Sequence, residues 1–101
     1  MPVTKVIRYK TKPECVEENE RLIRGVYAEL ASTKPDGLHY ATLRLDDGVS
    51  FLHVAVLDGD ENPLTTSAAF AEFQSDIQNR LAEGPIQADA TTVGSYRLLP
   101  E

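Results

Sequence analysis

Histidine is the side chain whose ordinary pKa, about 6.5, lets it exchange protons near neutral pH. This chain has two, His39 and His53. His53 lies in Phe51-Leu52-His53-Val54-Ala55, among residues that suit a pleated surface. In an apolar cleft it is a candidate general base for an acidic phenol or enol; the competing reading is a strand histidine hydrogen-bonded in a core. Tyr40, Thr42 and Arg44 recur at two-residue spacing and so share one side of a strand. Tyr40 is a candidate to orient a ligand hydroxyl. Arg44, close to a turn, faces solvent or clamps an anion. Phe51, Tyr9 and Tyr96 are further candidates for the wall of the same pocket.

Other chemistries find no pattern. His39 and His53 fall on opposite faces of their strands, and no His, Asp or Glu spacing matches a metal-ligand set, so no metal is expected. Cys15 is the sole cysteine. Its neighbours Glu14, Glu17 and Glu18 oppose a thiolate, which points to an unreactive side chain. There is no G-x-S-x-G elbow for serine chemistry and no phosphate-binding glycine loop.

Charge and length narrow the class. Sixteen acidic and ten basic residues give a net charge of -6 over 101 residues. That balance argues against nucleic acid, which demands cations to displace phosphate counterions. The apolar runs fall short of the roughly 18 residues of a membrane span. The N-terminus MPVTKVIRYK lacks a signal-peptide apolar core, so the expectation is a cytoplasmic single domain over residues 1–101.

The elements that must position these side chains are legible. Val3 to Lys10 reads as a strand, ended by Pro13. A helix with acidic residues at its start carries Val16, Ile23, Val26, Tyr27 and Leu30 on one face, and stops near Ser32 before Pro35-Asp36-Gly37. Leu38 to Leu45 and Phe51 to Leu57 are strands joined at Asp47-Gly48, a hairpin signal. A second helix is expected through Phe70, Phe73, Ile77 and Leu81, stopped by Gly84-Pro85, and a last strand over Thr91 to Leu99. The order β-α-β-β-α-β is the ferredoxin-like arrangement: a four-stranded antiparallel sheet with both helices on one face.

If Asp46 pairs with Val49, Leu43 faces Leu52 and Ala41 faces Val54. One sheet face then carries Ala41, Leu43, Leu45, Leu52, Val54 and Val56, and the expectation is that the helices cover it. The other carries Leu38, Tyr40, Thr42, Arg44, Phe51, His53, Ala55 and Leu57. With both helices used, that second face is left apolar and bare, which marks an interface. A homodimer with the sheets face to face would cover it and enclose a small-molecule cavity around His53.

Segments IRYKTKPE, GLHYATLRLDDGVSFLHV, NPL, AFAEFQ and VGSYRL, with this element order, resemble the dimeric α+β barrel superfamily in its antibiotic-biosynthesis-monooxygenase-like branch, and a small bacterial set of that type. The resemblance covers nearly the whole chain. It implies a homodimer and a cofactor-independent oxygenase or isomerase, with no cofactor, acting on a small aromatic or enolisable compound. The alternative is a non-catalytic small-ligand-binding or stress-associated dimer. Oxygenase and haem-degrading relatives commonly use a pocket tryptophan and asparagine. This chain has no tryptophan, and Asn19, Asn62 and Asn79 lie off the expected strands, so no family catalytic residue carries over.

Overall fold

Alternating β-branched and aromatic residues in Val3–Thr11 form β1, and Pro13 opens a short 3-10 turn that leads into α1, Val16–Thr33, in a computed structural model that describes residues 3–98. Lys34 closes α1 in the left-handed conformation, its N–H bonded to the Leu30 carbonyl at 2.8 Å. β2 is Leu38–Arg44 and β3 is Ser50–Leu57. Leu45 N–H donates to the Ser50 carbonyl at 2.9 Å, and the Asp47 carboxylate accepts from the N–H groups of Val49 and Ser50. Gly48 supplies the positive φ, +80°, that the turn requires. α2 is Ala68–Ser75, α3 is Ile77–Arg80 and β4 is Leu81–Ala90. The sheet is antiparallel throughout, in the order β2-β3-β1-β4, as a ferredoxin-like fold requires.

The hairpin register is the expected one: Leu43 faces Leu52 and Ala41 faces Val54. The face the helices cover is the opposite of the expected one. Tyr9, Phe51 and His53 lie at 3%, 1% and 3% exposure, and Tyr40 stacks on Tyr27 of α1 at 5.3 Å. The aliphatic face is the open one: Leu43 is 51% and Ile86 of β4 69% exposed, and Leu52 and Val54 are half-buried, although Val56 at its end is buried. The reason lies on the helices. They bring Asn19, which donates to the buried Tyr9 hydroxyl, Tyr27, which bonds the Thr42 hydroxyl, and Phe70 and Phe73, which pack on rings. An aliphatic strand face offers nothing to those polar groups.

The C-terminal third departs from expectation as well. Asp76, at φ -129°, separates α2 from α3, so the helical run ends at Arg80 and Leu81 begins the last strand, paired with Thr11. That strand is Leu81–Ala90 rather than Thr91 to Leu99. Residues 91–98 are irregular and exposed, and Leu99 lies outside the described residues. Gly84-Pro85 sits inside β4 as a cis peptide beside register shifts against β1. The arrangement is tolerated because β4 is an edge strand, where proline's missing N–H breaks no ladder.

One carboxylate ties the two main helices. Glu29 of α1 accepts from the Ser67 hydroxyl at 2.8 Å and from the N–H groups of Ala68 and Ala69, the first turn of α2. Anionic groups belong at a helix N-terminus. These bonds hold the Glu29 carboxyl below its ordinary pKa, the Ser67 hydroxyl contributing most.

Candidate functional site

A buried row of polar side chains crosses the layer between sheet and helices. It starts at Arg80, at the end of α3, buried at 4% exposure with its guanidinium over the Phe73 ring. Arg80 donates from Nε to Asn19 Oδ1 at 3.0 Å and from a terminal nitrogen to the Phe73 carbonyl at 2.6 Å. Asn19 Nδ2 donates to the Tyr9 hydroxyl at 2.9 Å. Tyr9 Oη lies 2.8 Å from His53 Nε2, and Tyr40 Oη lies 2.6 Å from His53 Nδ1. Thr42 Oγ1 stands 3.2 Å from Nδ1 and 2.8 Å from the Tyr27 hydroxyl.

The row has a direction. Arginine only donates, so it draws the carbonyl oxygen of Asn19 and turns the amide nitrogen to Tyr9. The Tyr9 oxygen is then an acceptor, and its own proton goes to His53 Nε2. A neutral imidazole carries one proton, which is left on Nδ1 and is donated to Tyr40. Every link therefore pushes hydrogen-bond donation toward Tyr40.

The electrostatics keep the row neutral. Burial lowers the His53 pKa from 6.5 to about 4, so the ring is uncharged at neutral pH. Burial also pushes Tyr9 up to about 12, although the Asn19 hydrogen bond and the Arg80 charge pull it down. Tyr40 is raised further, again chiefly by burial. Rings of Tyr9, Tyr40 and Phe73 surround the imidazole with centroids 5.3, 5.8 and 5.6 Å away.

A cavity of about 140 Å³ opens onto this row. Tyr9, Tyr40 and His53 form its polar floor, Phe70, Phe73 and Ile77 are apolar walls, and Gln74, Gln78 and Gln87 stand at its exposed mouth. Among the described residues no group of three or more His, Cys, Asp or Glu is placed to hold a metal ion.

Tyr9, Tyr40, Thr42 and His53, named from sequence, are thus brought together. Phe51 stands behind them, stacked on Tyr9 at 5.5 Å. Arg44 is not part of the group; it pairs with Glu20 of α1 at 2.8 Å. Tyr96 lies apart at 80% exposure, its ring beneath the Arg97 guanidinium. His39 faces Asp58 at 3.0 Å on the surface. Two members escaped the sequence reading. Asn19 is fully buried, and its signal was its place on the apolar stripe between Val16 and Ile23, where a polar residue needs a buried partner. Arg80 gave none, because its burial depends on the break at Asp76.

The fold has many solved counterparts. A protein of Nitrosomonas europaea described as a candidate antibiotic biosynthesis monooxygenase superposes with a TM-score of 0.75, at 11% identity over 91% of this chain and 90% of that one. One of Caulobacter crescentus with the same description gives 0.74, at 14% identity over 92% and 91%. SnoaB from Streptomyces nogalater, a cofactor-independent oxygenase, gives 0.70, at 17% identity over 95% and 97%. The fold is that of antibiotic-biosynthesis-monooxygenase-like proteins. No protein-family model matches the sequence, and no curated protein is similar to it. At these identities the likeness concerns the fold and not the chemistry. No helix among the described residues is long and apolar enough to cross a membrane.

Proposed function

We propose that this chain is a cofactor-independent monooxygenase-like enzyme that acts on a small aromatic or enolisable compound through an enolate or phenolate. The observation that carries the reading is the directed row ending at Tyr40 on the floor of an apolar cavity. Both ring nitrogens of His53 are engaged by tyrosines, so the group that meets the ligand is the Tyr40 hydroxyl. His53 acts through it. With Nδ1–H donated to its oxygen, Tyr40 is polarised to donate a hydrogen bond to a ligand oxygen on which negative charge develops as the ligand's proton passes to water at the cavity mouth. At the other end, the Asn19 hydrogen bond and the Arg80 charge offset part of the burial that disfavours negative charge on Tyr9. Both oxygenation, in which dioxygen takes electrons from the ligand anion and its second oxygen atom leaves as water, and isomerisation, in which the proton returns to another carbon, pass through such an anion.

Turnover is read by dioxygen uptake and by exchange of ligand hydrogens for deuterium in heavy water. Tyr40→Phe keeps the ring and removes the donor; loss of one such donor lowers the rate about 10²–10³-fold. His53→Ala is expected to do the same. Unchanged turnover in both variants overturns the assignment.

A second reading has its own support. Among the described residues every buried side-chain polar atom has a hydrogen-bond partner, as in a settled core. A ligand-binding dimer without chemistry would bind in the same cavity and exchange no hydrogens.

A second copy of the chain is the proposed cover for the bare aliphatic face. Leu43 and Ile86 are too exposed, and too close to Ala41, Leu52 and Val54, to be left to water.

A further inference from the structure

We infer that the cavity selects a single uncharged aromatic ring with a hydroxyl at its buried end and a second hydrogen-bonding substituent at its solvent end. The inference deepens the proposed function and rests on its placing of the ligand oxygen at Tyr40.

Size sets the first limit. An apolar cavity of roughly 150 Å³ is filled by benzene, and this one measures about 140 Å³. One six-membered ring fits between Phe70, Phe73 and Ile77, whereas a fused second ring would have to displace them or stand out past the mouth. Interiors are packed too tightly to yield that space without cost.

Charge sets the second. No Asp, Glu, Lys or Arg lines the cavity. The floor is neutral at pH 7, since burial holds His53 uncharged and both tyrosines protonated. An ionised carboxylate or ammonium would enter with no opposite charge to meet it, and an unpaired buried charge is strongly disfavoured.

The mouth sets the third. Gln74 and Gln78, four residues apart, lie on α2 and α3, and Gln87 lies opposite on β4. Each amide offers two donors and an acceptor. Three neutral amides around an opening suit a hydroxyl or carbonyl that does not pass fully into the apolar part.

Calorimetric titration of the wild-type protein at pH 7 with phenol, hydroquinone, 1-naphthol and benzoate tests this. Hydroquinone is expected to bind tightest, phenol more weakly, and 1-naphthol and benzoate at least tenfold more weakly than phenol. Gln74→Leu with Gln78→Leu is expected to weaken hydroquinone about fivefold relative to phenol, the value of one neutral hydrogen bond. Binding of 1-naphthol or benzoate as tight as that of phenol overturns the inference, as does a double variant that keeps full preference for hydroquinone. Turnover separates the two claims. Ring-selective binding with no turnover upholds the size and charge rule and removes the enzymatic reading. Turnover of a fused-ring phenol overturns the rule and leaves that reading standing.

Discussion

His53 shows how burial decides what a residue can do. In water it would charge at about pH 6.5; within the fold it charges only at about pH 4. Between those values the unfolded chain holds a proton on this ring and the folded one does not, so folding loses stability as pH falls through that window. The loss is on the order of 3 kcal/mol, at roughly 1.4 kcal/mol per pH unit. Urea denaturation at pH 7 and pH 4.5 should show it, and His53→Gln should remove most of that slope. Nitrogen NMR of the imidazole is expected to find the proton on Nδ1. Asn19→Leu should disturb that preference, because it cuts the link that carries the direction from Arg80. The same substitution strands two buried polar groups, which costs about 1–3 kcal/mol for each. His53, Tyr40 and Thr42 were legible from two-residue spacing alone. Asn19 left a trace only in its place on the apolar stripe of α1, which marks burial but not a partner, and Arg80 left none, because its bond to Asn19 joins residues 61 apart in the chain.

At the scale of elements, β1, α1, β2 and β3 lie within a residue or so of where propensity, proline and turn chemistry put them. Their register also followed from the Asp47-Gly48 turn. The last strand did not. Gly84-Pro85 has the chemistry of a helix stop, yet here it is part of a strand, because an edge position and an irregular pairing make room for it. Gly84 has φ +91°, and a Cβ there would come within 3.1 Å of the Arg8 carbonyl oxygen. Gly84→Ala should therefore destabilise the fold by about 1–3 kcal/mol. Differential scanning calorimetry of the variant reads this directly, and an unchanged melting temperature would show that β4 is not held in this conformation. Glu29→Gln should act more locally, lowering hydrogen-exchange protection of the first turn of α2 before the sheet is affected.

For the whole molecule, the shortage of chain was legible: two main helices cover one face of a four-stranded sheet and leave the other bare. Which face is bare was not, because hydrophobicity ranks aliphatic strands above aromatic-polar ones and takes no account of helix-borne partners. The inversion moves the candidate site, which lies within one chain, between sheet and helices, and not between two sheets. Leu43→Asp should then leave the chain folded and ligand-competent but monomeric by light scattering, against a wild-type dimer. A wild-type monomer would remove the proposed second copy.

The bare face and the cavity mouth sit on opposite sides of one sheet. A partner laid on the first would have the sheet between it and the walls of the second. Two copies so joined would load one ligand each, and the first occupancy would leave the second unaltered. Saturation would follow a simple hyperbola, and the concentration of protein would set how many molecules are paired without setting how well each one binds.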